Sequence, residues 1–251
     1  MADLAERTPV RGLSRDEIEH MLGSHRLYLE TEYHQGHRAN FASADLSGRD
    51  FSGLDLRGVK MDRAVLRGID FTGTDLRGAN LIGAIAQEAR FDSADLSRAR
   101  LSGANLVSAS FENARLGRAE MEFALMADAV LRGACLSEAD MSGAQLDRAV
   151  LTGADLRKVN LRGAGLRGAQ LDAADLRDAR LGSAFLAGAS LQGADLRGAY
   201  LRVAKLDGAD LSDANLEGAE GITRAQLDQA HLNRRSPKLP EDLTGAEDAN
   251  R

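Results

Sequence analysis

FASADLSGRDFSGLDLRGVKMDRAVL, residues 41–66, places Phe41, Leu46, Phe51, Leu56, Met61 and Leu66 at intervals of five. The interval continues to Leu216 without an insertion. Its 36 positions hold 26 Leu, five Phe, four Met and a single Ala86. Two residues before each, the side chain is as a rule small, Ala in 30 of the 36 cases. A period of five matches neither the 3.6 of a helix nor the 2 of a flat strand. A short repeat held this long implies a stacked, quasi-one-dimensional solenoid.

The repeat covers residues 39–219 of a chain of 251, which leaves only short flanks. Trp is absent and aromatics make up 4% of the chain, so the expected core is a thin column of Leu and Ala that buries its surface by stacking. Cys135 stands alone, which excludes an intrachain disulfide and fits a reducing compartment. Residues 1–13 carry Asp3, Glu6, Arg7 and Arg11 and lack the apolar stretch of a signal peptide. No run is long enough for a membrane span, so a soluble cytoplasmic protein without membrane contact is expected. Net charge is −6 overall, and residues 39–219 hold 25 acidic against 22 basic residues, a difference of −3. That balance suits neither a nucleic-acid binder, which wants a basic stripe, nor a strongly acidic mimic of nucleic acid.

Pentads such as Ala44-Asp45-Leu46-Ser47-Gly48, Ala104-Asn105-Leu106-Val107-Ser108 and Ala194-Asp195-Leu196-Arg197-Gly198 read Ala-(Asp/Asn)-Leu-X-Gly in outline. They resemble the pentapeptide-repeat family of bacteria, over about three quarters of the chain. The resemblance implies an all-β solenoid: a right-handed quadrilateral β-helix of about nine 20-residue coils. The central residue and the small residue before it would face inward, and the other three would face solvent. Four pentads per coil has independent support. Phe51, Phe71, Phe91 and Phe111 recur every 20 residues, as do Asp55, Asp75, Asp95, Asp155, Asp175 and Asp195. Arg57, Arg77, Arg157, Arg177 and Arg197 follow two behind. Windings about 4.8 Å apart would stack these into ladders in which guanidinium groups offset carboxylate repulsion. Gly is frequent at the last pentad position, where a tight corner calls for positive φ. Arg49, Leu54, Val59, Ile69 and Thr74 occupy the small inward position, so the first two coils should be wide or irregular, with Arg49 reaching out.

Both ends of such a column need covers. Ser14-Arg15-Asp16-Glu17 reads as a capping box opening a helix to about Tyr33, lined by Ile18, Met21, Leu22 and Leu29. Thr223-Arg224-Ala225-Gln226 opens a second, short helix to about Leu232, with an extended or flexible tail beyond Asn233. Its Ile222, Ala225, Leu227 and Leu232 offer apolar surface for dimerisation. The expected organisation is therefore 1–38 leader and capping helix, 39–219 repeat column, and 220–251 closing helix and tail.

The chain presents no catalytic constellation, and a non-enzyme without cofactor or metal is expected. Its glycines recur every five residues and precede no helix, unlike a phosphate loop. Ladder carboxylates sit beside Arg on a convex surface. His34 and His37 have no evident third ligand. The informative departures are apolar residues at outward positions: Ile82, Ile85, Val107, Phe123 and Leu125, with Val65 and Phe185 in the same register. These are candidates for a partner surface. The alternative is a slip near Ala86 that rotates Ile85 inward. The leading expectation is a protein–protein interaction or scaffold module, its partner a protein or a second copy of the chain. Family resemblance supplies the alternative, a DNA mimic that binds DNA gyrase or topoisomerase and modulates it or protects it from quinolones. Direct nucleic-acid binding through Arg157, Lys158, Arg162 and Arg167 is the least favoured reading.

Overall fold

Each pentad closes through one local hydrogen bond. The amide of the small residue donates to the carbonyl of the central residue three positions back, as from Ala44 to Phe41 at 3.0 Å and from Ala104 to Leu101 at 2.9 Å. The third residue of this turn has positive φ at all 36 corners, the pattern of a type II turn. Glycine fills 18 of those corners, as expected of a residue without a Cβ; the other 18 hold side chains in the same left-handed conformation. Repetition tolerates these because the corner amides from Ser43 to Gly198 each donate to a carbonyl of the next winding.

The computed structural model describes residues 12–231 and 236–244. Parallel bridges join residues 20 apart along the whole repeat, from Asn40 with Lys60 to Tyr200 with Glu220. Three bonds per pentad cross between windings. In one pentad Leu46 donates to the Val65 carbonyl, Val65 to that of Ala44 and Gly48 to that of Arg67, each at 2.8 Å. Only one residue per pentad is bridged, because the turn consumes its neighbours, so the sheets are ladders of isolated bridges and not of extended strands. Twenty residues at five per side give four sides. Side I is centred on the file from Phe41 to Leu201, side II on Leu46 to Leu206, side III on Phe51 to Leu211 and side IV on Leu56 to Leu216.

The central files and the alanine files are buried almost without exception. Phe51, Phe71, Phe91 and Phe111 share side III, with successive ring centroids 5.9, 5.2 and 4.7 Å apart. The first pair meets edge to face and the last lies nearly parallel at 5°. The irregular register expected in the first windings does not occur. Their bridges keep the 20-residue step while Val59, Ile69 and Thr74 fit inside. Thr74 satisfies its hydroxyl by donating to the Phe51 carbonyl at 2.8 Å. Leu54 stays partly buried and packs against the core, as do Met21 and Leu22.

Helix α1, Arg15–Glu30, covers the first winding and starts at the expected capping box. The Ser14 amide donates to Glu17 Oε2 at 2.8 Å and the Glu17 amide to Ser14 Oγ at 3.2 Å. It ends before Tyr33, since Glu32 and Tyr33 both have positive φ. Gly36 then passes α1 so closely that a Cβ would lie 2.2 Å from the Ser24 carbonyl oxygen. Helix α2, Arg224–Asp228, opens on the expected Thr223–Gln226 box. Gln226 Nε2 donates to the Leu201 and Ala204 carbonyls of the final winding at 3.3 and 2.8 Å. The tail expectation needs correction for residues 236–244. Lys238 bridges Asn215, Leu239 packs against the core, and a short α3, Glu241–Thr244, follows. The column end is a template of unpaired backbone groups, and this segment fills part of it.

Candidate interaction surface

The register places the outward apolar residues without ambiguity. Ala86 is fully buried and Ile85 bridges Val65 and Asn105, so there is no slip at this point. On side II, Ile85 and Leu125 belong to one bridged file, with Val65 beneath and Phe185 above. Val107 stands two positions along the same side. Val65 is buried, and Ile85, Val107 and Leu125 are half-buried. Phe123 occupies the corner where side I turns into side II, next to Ala124 and Leu125, and is 69% exposed. Ile82 sits on side I, around that corner. The structure therefore brings Ile85, Leu125 and Phe123 to the edge between sides I and II, with Ile82 in the turn of the same corner two windings below, and places Val107 at the opposite corner of side II. Phe185 is occupied by Arg167, whose guanidinium carbon lies 4.8 Å over its ring.

Phe123 holds an unfavourable position for its type. Its φ is +57°, a conformation that disfavours an L side chain by roughly 1–2 kcal/mol. Its ring extends over Gly143 on the next winding.

The surrounding electrostatics are those of a mutually neutralised surface. On side IV, Arg57, Arg157, Arg177 and Arg197 each pair with the aspartate two residues before, at 2.6–2.7 Å. Each of the first three also approaches the aspartate of the next winding at 3.7 Å. Hydrogen bonds from these arginines hold Asp55, Asp155, Asp175 and Asp195 below the usual carboxylate range, against a smaller opposing effect of burial. The ladder lapses at Ser97, Gly117 and Ser137, where half-buried Cys135 lies 3.7 Å from Asp155 Oδ2. Side III carries seven carboxylates against three basic residues, a net of −4. Side I carries six basic against four acidic residues, a net of +2.

Some sequence groupings dissolve in three dimensions. Arg157, Lys158, Arg162 and Arg167 are neighbours in sequence, but Arg157 lies on side IV, Arg162 on side I and Arg167 on side II. Ile222 and Leu227, expected as dimer surface, are buried against the last winding; Leu232 is outside the described residues. Among the four leader histidines, His25 is buried and its Nδ1 accepts from the Ala39 amide at 3.2 Å, while His34 Nδ1 lies 2.9 Å from the Thr31 carbonyl. One cluster was missed from sequence: Arg162, Arg180 and Arg202 meet around Gly182. The available signal was the 40-residue spacing of Arg162 and Arg202 with a glycine midway.

The winding register has a counterpart in known proteins. A family model described as pentapeptide repeats matches residues 39–78, 74–113, 104–143, 144–182 and 184–220. The chain belongs to the pentapeptide-repeat family. No curated protein matches it. Among solved pentapeptide-repeat structures, HetL from the cyanobacterium Nostoc sp. strain PCC 7120, involved in heterocyst differentiation regulation, is 31% identical. That match covers 91% of this chain and 98% of HetL, with a TM-score of 0.50. A pentapeptide repeat protein from the Arabidopsis thaliana thylakoid lumen is 32% identical, covering 47% of this chain and 68% of that one, with a TM-score of 0.36. QnrB1, a plasmid-mediated fluoroquinolone resistance protein, is 22% identical over 82% of this chain and 92% of its own, with a TM-score of 0.43. The family match and the HetL structure support the pentapeptide-repeat solenoid. Among the described residues no helix is long and apolar enough to cross a membrane.

Proposed function

We propose that the protein is a non-catalytic interaction module that seats a protein partner on the edge between sides I and II. Phe123 carries this reading: an exposed aromatic ring held at a backbone conformation that favours glycine contributes little to the fold. Exposed aromatics beside half-buried aliphatics, here Leu125, Ile85 and Ile82, make the apolar centre that interfaces require, and Val107 stands apart at the far corner of side II. Asp128 and Arg148, joined across one winding on side II, supply a polar rim. The non-catalytic assignment is supported by carboxylates held ionised by arginine, the opposite of a general acid with a raised pKa. A half-exposed free Cys135 accords with a reducing, cytoplasmic setting.

The same reading takes the column as a right-handed, four-sided helix of about nine coils over residues 39–219. Residues 1–38 would be the leader and cap, and 220–251 the closing segment. The 20-residue register and the two capping boxes support that division.

Tagged wild-type protein and the Phe123→Gly/Leu125→Asp variant, each expressed in the native cell, provide the test. A partner recovered with the wild type and lost from a variant of equal melting temperature supports the edge. Identical co-purifying proteins and identical mass by light scattering would remove it; a wild-type mass of two chains that halves in the variant identifies the partner as a second copy. The alternative, a DNA mimic acting on gyrase, calls for one continuous acidic face, and on side III Arg90 and Arg132 interrupt the acids. Inhibition or quinolone protection of gyrase by the purified protein would replace the present reading.

A further inference from the structure

Side I ends in a cationic trough. Arg162, Arg180, Arg202, Asn160, Tyr200 and Val203 line a cavity of about 670 Å³ over Gly182, within the ~300–1,000 Å³ of small-molecule sites. The trough exists because position 182 has no side chain. Arg162 stands one winding below it and Arg202 one winding above. The Tyr200 ring crosses the gap, and a Cβ on residue 182 would lie 3.2 Å from Tyr200 Cε1. Gly182 is buried beneath the ring, while Tyr200 remains 38% exposed.

The three guanidinium groups form no ion pair with any described residue. At the same levels on side IV, Arg157, Arg177 and Arg197 each hold an aspartate within 2.7 Å. Side I has no carboxylate between residues 159 and 203; Asp140 bounds the stretch from below and Glu220 from above. Asp140 accepts from the Ser142 amide and from Asn160 and feels the charge of Arg180, which it borders together with Glu138 and Asp178 without forming an ion pair. Like charges on windings about 4.8 Å apart repel, and an anion among them removes that repulsion. Val203 is the corner residue at the rim of the trough. It is β-branched, has φ +54° and is 59% exposed at the trough edge. Its positive φ is that of every corner of the column, so what it contributes is an open apolar side chain beside the Tyr200 ring.

We propose that this trough binds a phosphate monoester carried on a planar ring, the chemical class of a nucleoside monophosphate. The phosphate oxygens take the guanidinium forks of Arg162, Arg180 and Arg202, a geometry that suits arginine better than lysine. The ring lies on the open face of Tyr200, with Val203 at its edge. Positive charge confined to about 10 Å, three windings deep, matches one compact dianion. Asp140, Glu220 and the net charge of −6 oppose a continuous polyanion.

Full-length protein is titrated at low salt with adenosine monophosphate, inorganic phosphate and adenosine, following tyrosine and arginine side-chain resonances by NMR. Adenosine monophosphate should saturate, and bind more tightly than phosphate or adenosine alone. Arg162→Gln combined with Arg202→Gln should weaken it at least ~10-fold, the loss of about 1.4 kcal/mol. Tyr200→Leu should abolish its advantage over inorganic phosphate, and Arg132→Gln on side III should change nothing. All these positions face outward, so equal melting temperatures confirm folding. No saturation below about 1 mM, equal binding of phosphate and nucleotide, or an equal loss in Arg132→Gln would each overturn the proposal. Saturation by a polyglutamate peptide in place of the nucleotide would do the same.

Discussion

The Phe123 ring lies over Gly143 so closely that a Cβ on Gly143 would sit 2.6 Å from Phe123 Cε1. The two positions are consecutive corners of one edge, 20 residues apart, and both have positive φ. Glycine at the upper corner is what lets the phenylalanine below it lie along the column. Phe123→Gly should therefore leave stability unchanged or raise it by about 1 kcal/mol, because the corner conformation favours glycine. Equilibrium urea unfolding of the two proteins measures this. A loss of more than about 1 kcal/mol would mean that Phe123 serves the fold and not a partner.

Phe91 stacks on Phe71 and Phe111 at 5.2 and 4.7 Å and is wholly buried. Phe91→Ala leaves a void that the bridged windings above and below resist closing. Its expected cost is about 3–5 kcal/mol by urea unfolding. Because contacts reach only adjacent windings, amide exchange should quicken most around residues 71–111 and least near residue 200.

His25 gives the leader cap a pH dependence. Its Nδ1 accepts from Ala39, so the neutral ring carries its proton on Nε2, which is buried without a partner. Burial lowers its pKa below 6.5, with Arg38 and Arg57 adding to the effect and Asp55 opposing it. Above pH 6.5 the ring is neutral whether folded or unfolded and contributes no pH dependence. As pH falls through 6.5 the unfolded chain takes a proton that the native site refuses, so stability drops, levelling below the native pKa. Melting temperatures between about pH 7.5 and 5 should fall for the wild type and flatten for His25→Gln, which keeps an acceptor. Parallel curves would show that another group is responsible.

Asp175 sits between Arg177, at 2.6 Å, and Arg157, at 3.7 Å. The Arg177 hydrogen bond depresses its pKa, so its contribution is present above about pH 4 and lost as pH falls through the native value. The pair is partly solvated, and Asp175→Asn should cost no more than about 1 kcal/mol. That cost should shrink in about 1 M salt, where charges are screened beyond ~3 Å. Paired urea titrations at low and high salt provide the check.

Periodicity along the chain was sufficient to read the winding, the inward files of Leu, Phe and Ala, and the stacking of Phe51 on Phe71. An inward position every fifth residue admits one solution once four sides close. Two capping boxes were legible because each is a local bond between residues three apart. The sequence was less informative about the first windings, where large residues at small positions suggested irregularity. Their interwinding hydrogen bonds absorb Val59, Ile69 and Thr74 without a shift of register. The fate of the closing segment was also hidden, since Lys238 pairs with Asn215 only after α2 has turned the chain back.

From sequence alone, then, one learns which residues face inward and which side each outward residue occupies, because side assignment is arithmetic in steps of five and twenty. Only the tertiary structure decided which outward charges are satisfied. Arg177 and Arg180 are three residues apart, yet one grips Asp175 and the other lines the trough without an ion pair to any described residue. A side chain's partners on a solenoid are set by the windings above and below and by the direction in which it leans. Those relationships are fixed by packing between windings, so no property of either residue taken singly reveals them.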